Sequence, residues 1–142
     1  MTAPTIRQIP AAEALRDWDM YERQIMRVVE RADSPHMPDD ILTCIQQGSM
    51  QLWRTPSGDG IGVTELQTFP RYKRLLLYMV AGENARDWLT GADQQLEAFA
   101  QSHGCTRMVF YGRPGWTKWC PAFGYEPTLV MMVKAVSNGR GR

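Results

Sequence analysis

The sequence has no excess of charge of either sign. Sixteen Lys and Arg stand against fifteen Asp and Glu, for a net charge of +1, so no bulk field draws in nucleic acid or an acidic membrane surface. Cysteine is scarce: Cys44, Cys105 and Cys120 are the only three, with no C-x-x-C pair. An odd, unpaired set argues against a disulfide framework or a structural zinc site, and suits a reducing compartment. No apolar run reaches the length of a membrane span, and the start lacks the basic-then-apolar order of a signal peptide. Internal repeats and low-complexity blocks are missing too. These absences lead us to expect one soluble, cytoplasmic domain over residues 1–142, with residues 137–142 as a flexible tail.

What is present describes a globular chain. Hydrophobic residues make up 44% and charged residues 22% of the 142 positions, an ordinary balance for a domain with a real core. A short strand is expected at Thr5 to Ile9. After Pro10 a helix runs to about Arg31, with Leu15, Trp18, Tyr21, Ile25 and Val28 or Val29 as one apolar stripe. The run ADSPHMPDD breaks it. Pro38 and Asp39 open a second helix, and Gly48, suited to the left-handed cap, closes it. Met50 to Arg54 and Gly62 to Phe69, joined by TPSGDG, read as a hairpin. Leu75 to Val80 is apolar on both alternating faces, as in a central strand covered on both sides.

Asn84 to His103 carries the most continuous helical face, with Asn84 as cap, Asp87 as its capping-box partner and Gly104 as terminator. Further strands are expected at Arg107 to Tyr111 and Thr128 to Val136, with a short helix between them. Strand, helix and strand across Leu75 to Tyr111 make a crossover, so those two strands are expected to be parallel. The class is α+β, a mixed twisted sheet of about six strands flanked by helices.

Two stretches carry a resemblance. LLLYMVAGENARDWL is a strand entering a helix, and GCTRMVFYGRPGWTKWCPAFGYEP leads through a short helix to a Gly-aromatic corner. Together they resemble the GNAT superfamily of acetyl-CoA-dependent N-acetyltransferases, over nearly the whole chain. The run from Gly112 to Tyr125 also looks like small GNAT-like proteins of tailed bacteriophages, some of them virion-associated. The resemblance implies that the strand before the main helix bulges and splays from its parallel neighbour, leaving a V-shaped opening. Exposed main chain there would bind the pantetheine arm of acetyl-CoA, and helix-terminal N–H groups the pyrophosphate.

The cofactor-binding residues so implied are Met79, Val80, Ala81, Gly82, Asn84, Ala85, Arg86 and Arg113; no metal is implied. The family's phosphate loop is Gln/Arg-x-x-Gly-x-Gly/Ala. Here AGENARDWL keeps Gly82 and Ala85 as small residues and sets Glu83 beside the expected phosphates, with Arg86 as the cation that offsets it. Asn84 serves either the cofactor or only the helix cap.

The same resemblance places Cys120 where the family commonly has the tyrosine that protonates the leaving thiolate. A thiol is a stronger acid than a phenol, yet Cys120 also reads as a small buried hydrophobe. Glu65, on the strand before the splayed one, is the candidate general base for the amine, or else an exposed ion-pair partner. Trp116 and Trp119, three apart, share one side of a helical turn and either fill the core or line a groove, with Lys118 pointing to solvent. His36 lies in the loop between the first two helices, where acceptors of the family often bind. Tyr78 and Tyr111 flank the implied opening, and His103 suits a helix C-terminus.

Two functions stay open. One is an acyltransferase moving an acetyl group from acetyl-CoA to a small-molecule or peptide amine. The other is a non-catalytic GNAT-fold interaction or structural protein, bound to a protein partner such as a phage assembly, in host cytoplasm or virion. The basic stretches FPRYKR and GRGR match no nucleic-acid motif.

Overall fold

The structure, a computed structural model, describes residues 5–32, 34–82, 85–112, 114–118 and 120–137. The chain divides into two compact units, Met1–Gly112 and Arg113–Arg142. The first unit runs β1 (Arg7–Ile9), α1 (Ala11–Arg16), α2 (Trp18–Arg31), α3 (Pro38–Gln47), β2 (Met50–Arg54), β3 (Gly60–Thr68), β4 (Lys73–Gly82), α4 (Ala85–Ser102) and β5 (Arg107–Phe110). One sheet takes the strands in chain order. β1 to β4 pair antiparallel, and β4 pairs with β5 in parallel across the α4 crossover. The α+β class and the parallel pair follow the sequence pattern.

The sheet separates two apolar layers. α1, α2 and α3 cover one face, where Trp18, Tyr21, Ile25 and Ile41 meet Leu52, Val63 and Met79. α4 covers the other, with Ala92, Leu96 and Ala100 on Trp53, Leu75 and Leu77. Each large side chain so buried contributes about 1.5–3 kcal/mol relative to exposure. At the start of α3 the Asp40 carboxylate accepts the Met37 N–H at 2.9 Å, and Gly48 closes that helix at φ 86°. Among the described residues no helix is long and apolar enough to cross a membrane.

The expected helix to Arg31 is two helices. Asp17, at φ −105° and ψ 22°, interrupts it, while its N–H still donates to the Glu13 carbonyl at 3.0 Å. The change of phase puts Ala14 in the core, fully buried, and leaves Leu15 54% exposed. β4 runs beyond its apolar stretch at both ends because pairing with β3 satisfies the main chain whatever the side chain.

Among the described residues the sheet has five strands rather than about six. Thr128 to Val136 carries no strand pairing among the described residues, and Leu129 to Met132 are 83–92% exposed. An apolar run shows that a segment can pair but does not supply its partner. In this second unit the expected short helix is instead two 3-10 turns, Pro114–Lys118 and Cys120–Phe123. Pro121, inside the expected helix, lacks the N–H that a regular helix needs. Gly124, at φ 90°, donates its N–H to the Pro121 carbonyl at 3.0 Å and turns the chain away.

Candidate active site

β3 and β4 pair in step from Gly60↔Gly82 to Val63↔Met79, and again from Thr64↔Leu77 to Thr68↔Lys73. The step between leaves Tyr78 without an opposite residue, so β4 bulges there. Tyr78 and Met79 consequently both pack on the α1–α3 layer, whereas Leu77 before them and Val80 after them pack on the α4 side. The parallel ladder ends at the same place, Leu77↔Phe110 being its last pair. From Tyr78 to Gly82, β4 keeps β3 on one edge and has no strand on the other among the described residues. Half of its main-chain donors and acceptors are left without a ladder partner there. The bulge and the parting of the strands lie in the strand that leads into α4, as expected.

Tyr78 ties this point to the loop between α2 and α3. Its Oη lies 3.0 Å from Ser34 Oγ and 3.0 Å from His36 Nδ1. The two rings meet edge-on, 5.5 Å between centroids. Ser34 Oγ also donates to the His36 carbonyl at 2.8 Å and accepts from the His36 N–H at 3.1 Å, a serine turn that fixes the Ser-Pro-His corner. All three side chains are half-buried. Burial pushes the Tyr78 phenol above its ordinary pKa, and the Glu65 charge adds to it. The phenol is therefore neutral at physiological pH.

Beyond the helical layer the same sheet face turns polar. Glu65 and Gln67 alternate with Leu66, which packs on the α4 side. The Glu65 carboxylate accepts from Gln67 Nε2 at 2.6 Å, Gln67 Oε1 accepts from Arg74 Nε at 2.7 Å, and Arg74 Nη2 donates to Tyr111 Oη at 3.3 Å. A hydrogen-bonded strip thus crosses β3, β4 and the end of β5, with Arg74 also stacked 4.7 Å over the Phe69 ring.

The structure brings Glu65, Tyr78 and His36 to one face, and adds Ser34, whose only trace in the sequence is its place two residues before His36. Met79 and Ala81 are buried toward α1–α3 and Val80 is half-buried toward α4, so it is their main chain that meets the open edge. Gly82 has φ 114°, and a side chain there would meet the Asp59 carbonyl, and the Gly60 Cα at 2.7 Å. The turn before β3 thus demands glycine without any ligand. Glu83, Asn84, Arg113 and Trp119 lie outside the described residues, as do the side chains of Ala85 and Arg86.

Cys120 is half-buried in the second unit, its carbonyl accepting the Tyr125 N–H at 3.3 Å. In that unit Trp116 is half-buried and Lys118 exposed. His103 closes α4, as expected for a helix end, with Nδ1 2.9 Å from the Phe99 carbonyl. Among the described residues no group of His, Cys, Asp and Glu is arranged to hold a metal ion.

No protein-family model and no curated protein matches the sequence. Solved structures do. A probable acetyltransferase superposes with a TM-score of 0.72 at 10% identity, over 94% of this chain and 98% of that one. The fold is that of the GNAT acetyltransferases. An aminoglycoside acetyltransferase from an uncultured soil metagenomic sample, solved with sisomicin, matches with a TM-score of 0.66 at 11% identity, over 93% of this chain and 95% of that one. Glucosamine-6-phosphate N-acetyltransferase from Arabidopsis thaliana gives 0.63 at 9% identity, over 93% and 97%. At such identities the GNAT fold is shared while the side chains of the site are this chain's own.

Proposed function

We propose that this GNAT-fold chain is an acyltransferase that passes an acetyl group from acetyl-CoA to the amine of a small molecule. One observation carries the reading. The bulge at Tyr78 and the end of the parallel ladder at Leu77↔Phe110 leave the main chain of residues 78–82 without a strand along one edge among the described residues. An extended arm that contains amides, such as pantetheine, adds to such an edge as a strand would, through alternate main-chain hydrogen bonds. Met79, Val80 and Ala81 would hold it, and the first N–H groups of α4, beginning at Ala85, would take the pyrophosphate. Arg86 and Arg113 serve in this reading as counter-ions, and Asn84 as the helix cap. Bound there, acetyl-CoA supplies an activated thioester carbonyl.

The acceptor class is supported by the two structural neighbours named for an aminoglycoside and for glucosamine 6-phosphate. The Glu65 carboxylate on the polar strip would attract a protonated amine, and the Cys120 thiol would return a proton to the leaving thiolate. Thermal unfolding with acetyl-CoA tests the reading. At a hundred times its Kd the ligand should add about 2.7 kcal/mol, and no shift at millimolar acetyl-CoA removes it. Cys120→Ala should then lower turnover without changing that shift.

One observation favours a second reading, a scaffold that binds a protein partner such as a phage assembly. Leu129 to Val133 and Val136 are 70–92% exposed in a segment outside helix and strand, more apolar surface than an isolated chain ordinarily presents to water. Co-purification with a partner supports it; a protein that is monomeric and turns over acetyl-CoA removes it.

A further inference from the structure

We infer that His36 is the general base of this site, held with its proton on Nδ1 and its lone pair on Nε2. The inference rests on the acyltransferase reading above and concerns what its side chains do.

The hydrogen bonds of three residues settle where each proton lies. Ser34 Oγ is 2.8 Å from the His36 carbonyl oxygen, which has no hydrogen to give. The hydrogen in that bond is therefore the serine's only one. Ser34 Oγ is also 3.0 Å from Tyr78 Oη, so with its own hydrogen committed it accepts there and Tyr78 donates. The tyrosine's only hydrogen is now committed as well. At the 3.0 Å contact between Tyr78 Oη and His36 Nδ1, the phenol oxygen must accept and Nδ1 must carry the N–H. What remains for Nε2 is a lone pair.

A base in this state has what catalysis asks of it. Its orientation is fixed by a hydrogen bond on the far nitrogen, the arrangement that positions a histidine base through its other ring nitrogen. It touches Tyr78, the first β4 residue past the last parallel pair, and so stands where the strands part. Protonation of Nε2 leaves the Nδ1–H to Tyr78 Oη bond intact, and imidazole is the side-chain base suited to neutral pH. In the step, the ammonium form of the acceptor gives one proton to Nε2 and becomes a neutral amine. Its nitrogen forms a bond to the thioester carbonyl carbon, the C–S bond breaks, and the departing sulfur takes its proton from the Cys120 thiol of the reading above, which recovers one as the nitrogen gives up its second. Nε2 returns its proton to solvent. Amine and thioester have become amide and thiol.

Long-range 15N–1H NMR on the full chain, above the pH at which imidazole titrates, reads the tautomer. We expect Nδ1 of His36 as the protonated nitrogen and Nε2 as the bare one, with the signals assigned by their loss in His36→Asn. Tyr78→Phe, which removes only Oη, should release that preference. The opposite tautomer in the wild-type protein overturns the assignment of His36 as base. His36→Asn keeps a donor toward Tyr78 but has no basic nitrogen. It should lower acetyl-CoA hydrolysis, with water in place of the amine, by about 10²–10⁴-fold, with the thermal shift from acetyl-CoA unchanged. Unchanged hydrolysis in that variant also overturns it. If the wild-type protein shows no acetyl-CoA shift at all, it is the acyltransferase reading that falls, and the role of His36 with it.

Discussion

Thr64 sits opposite Leu77, at the last regular pair before the bulge. It is fully buried, and its hydroxyl accepts from Trp53 Nε1 at 2.9 Å while donating to Gln51 Oε1 at 2.8 Å. A single hydroxyl therefore satisfies two buried groups on β2 and holds β2 against β3 beneath the point where β4 departs. Thr64→Val keeps the shape and orphans both partners. The expected loss is about 1–3 kcal/mol of stability by urea unfolding, with the acetyl-CoA shift retained. A loss of only a few tenths would mean that other groups satisfy Trp53 and Gln51. Tyr78 works in the opposite direction. It is the surplus residue of the bulge, so its side chain is turned onto the α1–α3 face beside Met79, where the phenol reaches Ser34 and His36. The side-chain chemistry of the site thus depends on a main-chain irregularity one residue long.

β4 is the element in which the sequence was both most and least legible. Its apolar run on both faces shows a covered central strand, and the helix after it shows the crossover that makes β5 parallel. The bulge is invisible to that reading, because register belongs to two strands at once and no residue of LLLYMV is itself unusual for a strand. The break at Asp17 escaped for a related reason. A stripe recurring every three or four residues tolerates a small change of phase, and only Leu15 fell on the wrong side of it. Ser34 escaped because a serine before proline is an ordinary loop residue until a tyrosine from β4 meets it. Gly82 illustrates a motif residue with a structural cause. The family loop asks for a small residue there, but φ 114° and the nearness of Asp59 and Gly60 ask for glycine first. Gly82→Ala should cost about 1–3 kcal/mol, read as a lower Tm with no acetyl-CoA present. An unchanged Tm with lost acetyl-CoA binding would mean that the cofactor, not the turn, sets this residue.

Stability is unevenly distributed through the molecule. In the first unit the β-sheet has an apolar layer on each face, so its backbone opens only with the whole unit. In the second unit, Thr128 to Val136 is exposed and lies in neither helix nor strand, with no strand hydrogen bonds among the described residues. Lys134 lies within that segment, whereas Lys73 lies in β4, paired with Thr68. A protease needs an extended, unpaired stretch of main chain to enter its cleft, and exposed segments of that kind are cut first. Limited trypsin digestion followed by mass spectrometry should therefore show cleavage after Lys134 well before any after Lys73, with the time course for Lys73 following global unfolding. Acetyl-CoA should slow cleavage at Lys73 by stabilising the first unit. If Lys134 is instead as resistant as Lys73, the segment has found a strand partner in solution, and its apolar residues belong to an interface rather than to water.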